Sequence, residues 1–256
     1  MQYYYAHTGH KGSLDALRRG VAYIKKQNDE TKLLVNDFRA GIVAKELGAI
    51  SATTIETIAD IDLVLELGDT IVIDSTENLP KQFKSYCDHY KVFRVLLDEP
   101  QEPIFNESII DISKKENLLV DDVYKVEQPK NKRVIFFGGD SDYEKSILKH
   151  KDFFKELKAN LLLGHYFFVN YEKELKDFFV DIYESEDYKE IITTSSDIIT
   201  TSIQCAIESK ISGANVIFIA EENLSLSLST LFINLDIPVL HKYDLSKATV
   251  LLMSGI

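Results

Sequence analysis

The sequence predicts an α/β protein built on two parallel β-sheets, and three observations lead to this prediction. Short apolar runs alternate with longer amphipathic segments along nearly the whole chain, which is the pattern of successive βαβ units. A polar segment from 113 to 132, rich in Lys, Glu, Asp and Asn and containing Pro129, interrupts this alternation and is typical of a linker. The length of 256 residues exceeds what one core usually supports. We therefore expect two Rossmann-like domains, 1–125 and 126–256.

The elements of the first half follow from apolar periodicity. Continuous apolar runs indicate buried strands, whereas apolar residues that recur at intervals of three and four indicate amphipathic helices. The predicted strands lie near 2–6, 32–36, 70–75 and 93–97. The predicted helices span 13–27, 38–47 and 81–89.

The same criteria place a second alternating series directly after the polar segment. Its predicted strands lie near 133–137, 160–163, 166–169, 197–201, 216–220 and 238–241. Its predicted helices lie near 143–157, 171–179, 186–195, 203–211 and 224–235.

Composition and charge exclude several classes of protein. The chain is 45 % hydrophobic and 27 % charged, as in an ordinary globular protein. Its formal net charge of −12 argues against binding to nucleic acid or to an anionic membrane, because both require a basic surface. The lysines and arginines are scattered along the chain and form no basic stripe.

Cysteines and apolar runs predict a location in the reducing cytoplasm. Cys87 and Cys205 are far apart and lack the spacing of a disulfide framework or a zinc site. No apolar run approaches the roughly 20 residues of a membrane span, and the N-terminus lacks the basic and apolar regions of a signal peptide. The oligomeric state does not follow from the sequence.

The loop after the first predicted strand is the first candidate site. Gly9 allows a sharp turn and leaves His10 near the start of the next helix, where an imidazole can act as a general base or contact a phosphate. Ligands of parallel sheets bind beyond the carboxyl ends of the strands, and a helix N-terminus offers free N–H groups to an anion. The alternative is a surface histidine in an ordinary βα turn. His7 lies on the same loop, but two histidines without a nearby carboxylate do not make a metal site.

Two loops of the second half have related features. Gly138 and Gly139 end a predicted strand and permit a close approach of backbone to a ligand, while the acidic and hydroxyl groups that follow can instead cap the next helix. Thr200, Thr201 and Ser202 would present hydroxyl and N–H groups to a pyrophosphate. Simple N-capping by Ser202 explains that pattern equally well.

Several motifs in order along the chain together resemble one family. They are Gly9-His10, the strand 70–74, the run 95–99, Phe137-Gly138-Gly139, the segment 196–202 and Glu222-Asn223. Their order and spacing resemble the GT-B fold of nucleotide-sugar enzymes. Within that fold, the chain is most similar to the UDP-sugar hydrolases of pseudaminic acid biosynthesis, which are relatives of the N-acetylglucosaminyltransferase that makes lipid II. The resemblance therefore implies a GT-B arrangement, in which two Rossmann-like domains face a cleft that holds a nucleotide-sugar.

The resemblance also implies roles for the matched residues. His10 takes the place of the base that activates water beside the anomeric carbon, and Asp98, whose neighbour Glu99 lines the same cleft, is assigned to catalysis with it. The implied substrate-binding residues are Gly9, Asp74, Glu99 and Asn223. The implied nucleotide-binding residues are Gly138, Gly139, Thr201 and Ser202. The family needs no metal, and we expect no metal or other cofactor.

The chain departs from the family pattern at four places. Lys11-Gly12-Ser13 stands where the family has Ile-x-Arg, and Ser75-Thr76 replaces a His-Tyr pair. Gln204 and Cys205 lie where the family has a carboxylate that grips the ribose. The serine-rich phosphate loop is one residue shorter than in the family and has no glycine. Each difference weakens the ligand binding or catalysis that the resemblance implies.

Three classes of function follow. The first is a hydrolase of a nucleotide-sugar, most simply a UDP-sugar, in surface-glycan or nonulosonic acid biosynthesis, with His10 as base. The second is a GT-B glycosyltransferase in which an acceptor hydroxyl replaces water. The third is a non-catalytic relative that binds a nucleotide-sugar or serves as a scaffold for a protein partner.

Overall fold

A computed structural model describes residues 1–9, 13–27, 30–97, 101–125, 128–137, 140–167 and 170–254. The chain forms two compact units. The first comprises 1–9, 16–121 and 225–231, and the second comprises 10–15, 122–224 and 232–256. The main change of unit falls between Asp121 and Asp122, whereas the predicted domain boundary between residues 125 and 126 stays a prediction.

The first unit contains a parallel sheet of six strands in the order β3-β2-β1-β4-β5-β6. The strands are β1 (Gln2–Ala6), β2 (Thr31–Val35), β3 (Ala52–Thr54), β4 (Thr70–Asp74), β5 (Lys91–Leu96) and β6 (Ser108–Asp111). The helices are α1 (Asp15–Lys26), of which Asp15 clusters with the second unit, α2 (Phe38–Glu46) and α3 (Phe83–His89). The 3-10 helices span Ile58–Leu63 and Lys115–Asn117.

One of the two central strands of this sheet is β1, which pairs with β2 on one side and with β4 on the other. Tyr4 lies opposite Leu33 and Val72, and both Tyr4 and Tyr5 are fully buried. A parallel strand covered on both faces needs apolar residues at every position, which explains the continuous run at the start of the chain.

The second unit contains another parallel sheet of six strands, in the order β12-β11-β10-β7-β8-β9. Its strands are β7 (Lys132–Phe136), β8 (Asn160–Leu162), β9 (Ile182–Tyr183), β10 (Ser195–Thr200), β11 (Asn215–Ala220) and β12 (Val239–His241). Its helices are α4 (Ser146–Lys149), α5 (Lys151–Glu156), α6 (Tyr171–Leu175), α7 (Tyr188–Thr194), α8 (Ile203–Ile211), α9 (Leu226–Asn234) and α10 (Leu245–Ser254). Residues 226–231 of α9 cluster with the first unit. Further 3-10 helices span Asp122–Lys125 and Ser185–Asp187.

An aromatic cluster fills one face of the second sheet. Phe137 and Phe154 meet edge to face with ring centroids 5.5 Å apart, and Phe153 and Phe154 do so at 5.2 Å. Edge-to-face contacts place the positive edge of one ring on the negative face of another. Both cysteines, Cys87 and Cys205, are free and buried.

The predicted strand 166–169 is wrong where it can be checked. Tyr166 lies in a turn and Phe167 is not in a strand, while residues 168 and 169 fall outside the described residues. The backbone N–H of Tyr166 donates to the carbonyl of Asp140 at 2.9 Å, so it makes no ladder bond. Gly164 lies so close to this carbonyl that a Cβ there would meet the Asp140 backbone at 2.1 Å.

Two further predictions need correction. The single helix predicted at 143–157 consists of α4 and α5, because His150 between them has non-helical backbone angles of φ −115° and ψ 29°. The polar segment 113–132 contains two 3-10 helices and buries Leu119, Val120 and Tyr124. It therefore contributes to the packed core and is more than a linker.

In the described part of the chain, none of the helices is both long and apolar enough to cross a membrane.

We predict that the same substitution, glycine to alanine, has opposite effects on stability at two helical glycines. A Cβ at Gly20 in α1 would lie 2.9 Å from the ring of buried Tyr4, whereas a Cβ at Gly41 in α2 would meet Ala52 at an ordinary 3.8 Å. We expect Gly20→Ala to destabilise the fold by about 1–3 kcal/mol through overpacking. Gly41→Ala should stabilise it by about 0.5–1 kcal/mol, because alanine is the better helix former. Urea denaturation followed by circular dichroism measures both, and equal effects would contradict the packing at Gly20.

Candidate functional site

Each sheet has one place where the strand order reverses. In the first sheet the chain builds outward from β1 through β2 and β3 and then returns to β4 on the other side of β1. In the second sheet it builds from β7 through β8 and β9 and returns to β10. Ligands of open parallel sheets bind at such switch points, beyond the carboxyl ends of the strands. The candidate sites are therefore the β1/β4 edge and the β7/β10 edge, each within its own unit.

A buried ion pair lies at the β1/β4 edge. Arg19 donates from Nε to Oδ2 of Asp74 at 2.7 Å and from Nη2 to Oδ1 at 2.9 Å, while the hydroxyl of Tyr4 donates to Oδ2 at 2.7 Å. Arg19 and Asp74 are only 5 % and 6 % exposed. Burial, followed by the charge of Asp74, holds the pKa of Tyr4 well above its usual value, so this phenol is a neutral donor. Asp74, predicted to bind substrate, thus already has protein partners on both oxygens.

The loop after β1 is anchored on β2. Thr8 donates its backbone N–H to Oδ1 of Asn36 at 2.7 Å, and Nδ2 of Asn36 returns a bond to the carbonyl of Thr8 at 3.0 Å. The backbone N–H of His7 donates to the carbonyl of Asp74 at 2.9 Å. These bonds fix the approach to Gly9, the last residue described before the predicted base His10, which lies outside the described residues.

A cavity of about 420 Å3 opens at the carboxyl ends of β4 and β5. Two arginines and two carboxylates are part of its wall, so its charges balance, and hydroxyl, amide and aliphatic side chains make up the rest. The lining residues are Arg19, Ile58, Ile73, Asp74, Ser75, Thr76, Glu77, Asn78, Leu79, Arg94, Val95, Leu96, Leu97 and Gln101.

The charged groups of this cavity are held by neighbours. Glu77 accepts from the hydroxyl of Tyr5 at 2.6 Å and from Oγ of Ser75 at 3.0 Å. Nε of Arg94 donates to buried Glu107 at 3.1 Å. Burial acts to raise the pKa of Glu107, but backbone N–H groups at residues 104 and 105 and then the Arg94 charge hold that pKa below its ordinary value. The cavity wall is therefore a fixed set of donors and acceptors.

At the β7/β10 edge, Ser202 is the N-cap of α8. Its Oγ accepts from the backbone N–H of Cys205 at 3.0 Å, and its own N–H donates to Oγ1 of Thr200 at 3.0 Å. The capping interpretation of Ser202 is thus confirmed, while the nucleotide-binding role of Thr201 and Ser202 stays a prediction. Burial raises the pKa of Cys205 to about 12, so its thiol is not a nucleophile at neutral pH.

The carboxylate of Asp15 also lies at this helix terminus. Ser202 donates from Oγ to Oδ1 of Asp15 at 2.7 Å, and the backbone N–H of Gln204 donates to Oδ2 at 3.1 Å. Asp15 belongs to the segment 10–15, which clusters with the second unit. Sequence patterns did not indicate this contact, because the two partners are 187 positions apart.

Of the acidic residues after β7, Asp142 bonds to the backbone of the next helix, as the capping alternative predicted, whereas Asp140 bonds elsewhere. Asp142 accepts from the first two backbone N–H groups of α4, at 2.6 and 3.1 Å, and from the hydroxyl of Tyr171 at 2.6 Å. Asp140, fully buried, accepts from the backbone N–H of Leu14 at 2.8 Å and lies 3.2 Å from Nδ1 of His165.

Of the other predicted site residues, some lie within the part of the chain that the structure describes and some do not. Asn223 lies exposed in the loop between β11 and α9. His10, Asp98, Glu99, Gly138 and Gly139 lie outside the described residues, and their roles stay predictions. Among the residues that are described, no three His, Cys, Asp or Glu side chains form a group that could hold a metal ion.

A smaller cavity of about 310 Å3 in the second unit was not indicated by the sequence. His150 stacks on Tyr243 with ring centroids 3.7 Å apart, and the hydroxyl of Tyr243 donates to Glu221 at 2.8 Å. These residues follow three different elements, so only the folded chain brings them together.

Solved structures with the same architecture define the class of fold. A spinosyn rhamnosyltransferase complexed with spinosyn aglycone has a TM-score of 0.60 at 8 % identity, covering 100 % of this chain and 93 % of its own. A protein described as a UDP-N-acetylglucosamine 2-epimerase from Listeria monocytogenes has a TM-score of 0.56 at 10 % identity, covering 98 % and 87 %. An E. coli heptosyltransferase with ADP has a TM-score of 0.51 at 9 % identity, covering 99 % and 97 %.

These similarities, with the two six-stranded parallel sheets, show that the chain has the GT-B fold. The expected fold class is confirmed. No family model matches the sequence. No curated protein is significantly similar to it.

We predict that a substitution in the ion pair at the β1/β4 edge lowers the stability of the fold strongly. Asp74→Asn should cost about 3–5 kcal/mol of unfolding free energy, because it leaves the buried Arg19 charge uncompensated. Tyr4→Phe keeps the ion pair and removes one bond to a charged group, so it should cost less, about 1.5–3 kcal/mol. Chemical denaturation followed by circular dichroism compares the two variants, and an Asp74→Asn variant as stable as the native chain would contradict the role of the pair.

Proposed function

We propose that this chain is a nucleotide-sugar-dependent glycosyltransferase. The observation that carries the proposal is the cavity of about 420 Å3 at the carboxyl edge of the first sheet. The GT-B fold supports it, since solved structures of this fold include the rhamnosyltransferase and the heptosyltransferase. Fold similarity alone does not define an activity, so the proposal rests on the chemistry of the cavity.

The cavity suits an acceptor larger than water. One water molecule takes up about 30 Å3 in the liquid, so the cavity has room for a ligand of many atoms. Because its charges balance, it favours a neutral ligand. Polar groups such as Thr76, Asn78 and Gln101 can pair with hydroxyl groups, and Leu96 and Leu97 can pack on an apolar face. A hydroxylated acceptor, such as a sugar or a hydroxylated natural product, fits these requirements.

The donor nucleotide is proposed to bind at the β7/β10 edge of the second unit. Thr201 and Ser202, together with Gly138 and Gly139, are the predicted contacts. In the reaction, the acceptor hydroxyl oxygen forms a bond to the anomeric carbon, and the bond from that carbon to the phosphate oxygen breaks. Its electron pair leaves with the nucleotide, and the hydroxyl proton passes to a base, for which His10 is the predicted residue.

Hydrolysis of the nucleotide-sugar is the alternative activity, and it follows from the resemblance to UDP-sugar hydrolases. It differs only in that water takes the place of the acceptor hydroxyl, with His10 again as the base. The two activities are therefore separated by whether an added acceptor becomes part of the product.

The first test measures binding and turnover of nucleotide-sugars. We expect calorimetry with UDP, ADP, GDP and CMP to identify one bound nucleotide. Release of that nucleotide from its sugar conjugate should rise at least tenfold when a mixture of hydroxylated acceptors is added. His10→Ala should reduce this release at least a hundredfold, the scale of general base catalysis, while nucleotide affinity stays within threefold of the native value.

A variant of the cavity wall provides a second test, of whether the cavity binds the acceptor. Asn78→Trp should fill part of the cavity and lower acceptor-dependent turnover at least tenfold, with nucleotide affinity unchanged, whereas Asn78→Ala should retain most turnover. Release that is independent of acceptor and insensitive to Asn78→Trp would identify a hydrolase. Nucleotide binding without any release would identify a non-catalytic relative, and the absence of nucleotide binding would overturn the proposal.

A further inference from the structure

The N-terminus of α8 is already occupied by a side chain of this protein. Both carboxylate oxygens of Asp15 accept hydrogen bonds there, Oδ1 from Oγ of Ser202 at 2.7 Å and Oδ2 from the N–H of Gln204 at 3.1 Å. Asp15 is 8 % exposed, Ser202 3 % and Gln204 1 %. Two donors that could meet a phosphate at this terminus, the Ser202 hydroxyl and the Gln204 N–H, are therefore taken by a buried internal carboxylate.

The neighbours of Asp15 hold it in this position. The N–H of Leu14 donates to Oδ2 of fully buried Asp140 at 2.8 Å, and the N–H of Asp15 donates to Oγ of Ser13 at 3.1 Å. Asp140 lies after β7 and Ser202 after β10, the two strands that flank the switch point. The segment from Ser13 to Asp15 thus spans the edge where a ligand of this sheet would bind.

We infer that Asp15 is a specificity-determining residue that competes with the ligand phosphate for the N-terminus of α8. This inference rests on the proposed function, because it concerns the nucleotide site of the second unit. Two anions cannot share one pair of donors without strong repulsion. A phosphate can bind Ser202 and Gln204 only after the carboxylate has left them, so phosphate binding and the Asp15 contact exclude each other.

The competition can be measured as a change in apparent phosphate affinity when Asp15 is removed. When the binding-competent state is only a fraction of the population, apparent affinity falls by that fraction. If Asp15 occupies the donors in nine molecules of ten or more, its removal should raise phosphate affinity about tenfold or more. The competitor also selects among ligands, because it lowers the apparent affinity of those that need these donors and leaves unchanged the affinity of those that bind without them.

The test uses the full chain with inorganic pyrophosphate and, separately, UDP as probes. Asp15→Asn keeps the size of the side chain and removes its charge, and Asp15→Ala removes the acceptor altogether. Asp37→Asn is the matched control, because Asp37 is similarly buried at 7 % exposure and accepts from the backbone N–H of Arg39 as the N-cap of α2. Calorimetry gives the affinity, amide NMR shifts of residues 202–205 give the location, and circular dichroism reports folding.

We expect Asp15→Asn and Asp15→Ala to bind pyrophosphate at least tenfold more tightly than the native chain and to shift the amides of residues 202–205. Asp37→Asn should leave both quantities unchanged. Equal pyrophosphate affinity in folded Asp15 variants and the native chain, or binding that leaves these amides unshifted, overturns the inference.

The outcomes separate this inference from the proposed function. Pyrophosphate bound at α8 in the Asp15 variants, with no nucleotide bound and no donor turned over by any form of the protein, supports the competition and rejects the glycosyltransferase. Turnover of a nucleotide-sugar by the native chain, with an affinity for pyrophosphate and UDP that does not change in the Asp15 variants, supports the glycosyltransferase and rejects the competition.

Discussion

The ion pair between Arg19 and Asp74 is the interaction on which the first unit depends. It joins α1 to the end of β4, and the hydroxyl of Tyr4 joins β1 to the same carboxylate. The carbonyl of Asp74 also receives the N–H of His7, where the chain leaves β1. Because charges buried without partners are costly, these contacts allow few alternative arrangements. Arg19 and Asp74 are also part of the wall of the cavity, so fold and site share their support.

The buried strands could be predicted from the sequence because burial on both faces requires continuous apolar runs, as in β1, β4 and β11. Of the four edge strands, only β12 was predicted, near 238–241. The strand β3, for example, consists of Ala52, Thr53 and Thr54 and is largely exposed, so it has no apolar run. The interruption at His150 was hidden as well, because Ile147, Phe153 and Phe154 on either side of it are all buried and continue the helical pattern.

The candidate sites could be placed at strand ends, since loops that follow buried strands are visible in the sequence. The partners within each site could not be predicted. Arg19 and Asp74 are 55 positions apart, and Asp15 and Ser202 are 187 apart, so no local pattern links them. A resemblance assigns roles to single positions, but it does not show that a carboxylate from elsewhere in the chain has taken the donors of a predicted ligand. That fact follows only from the folded chain.

Both sheets end in very short strands. The outer strands β3 and β6 have three and four residues, and β12 and β9 have three and two. A long unpaired strand exposes a row of N–H and C=O groups that can pair with another chain and start aggregation. Short outer strands leave few such groups, so each sheet resists growth by strand addition. If copies of this chain associate in solution, we expect their contacts to involve helices and loops, with the sheets remaining six strands wide.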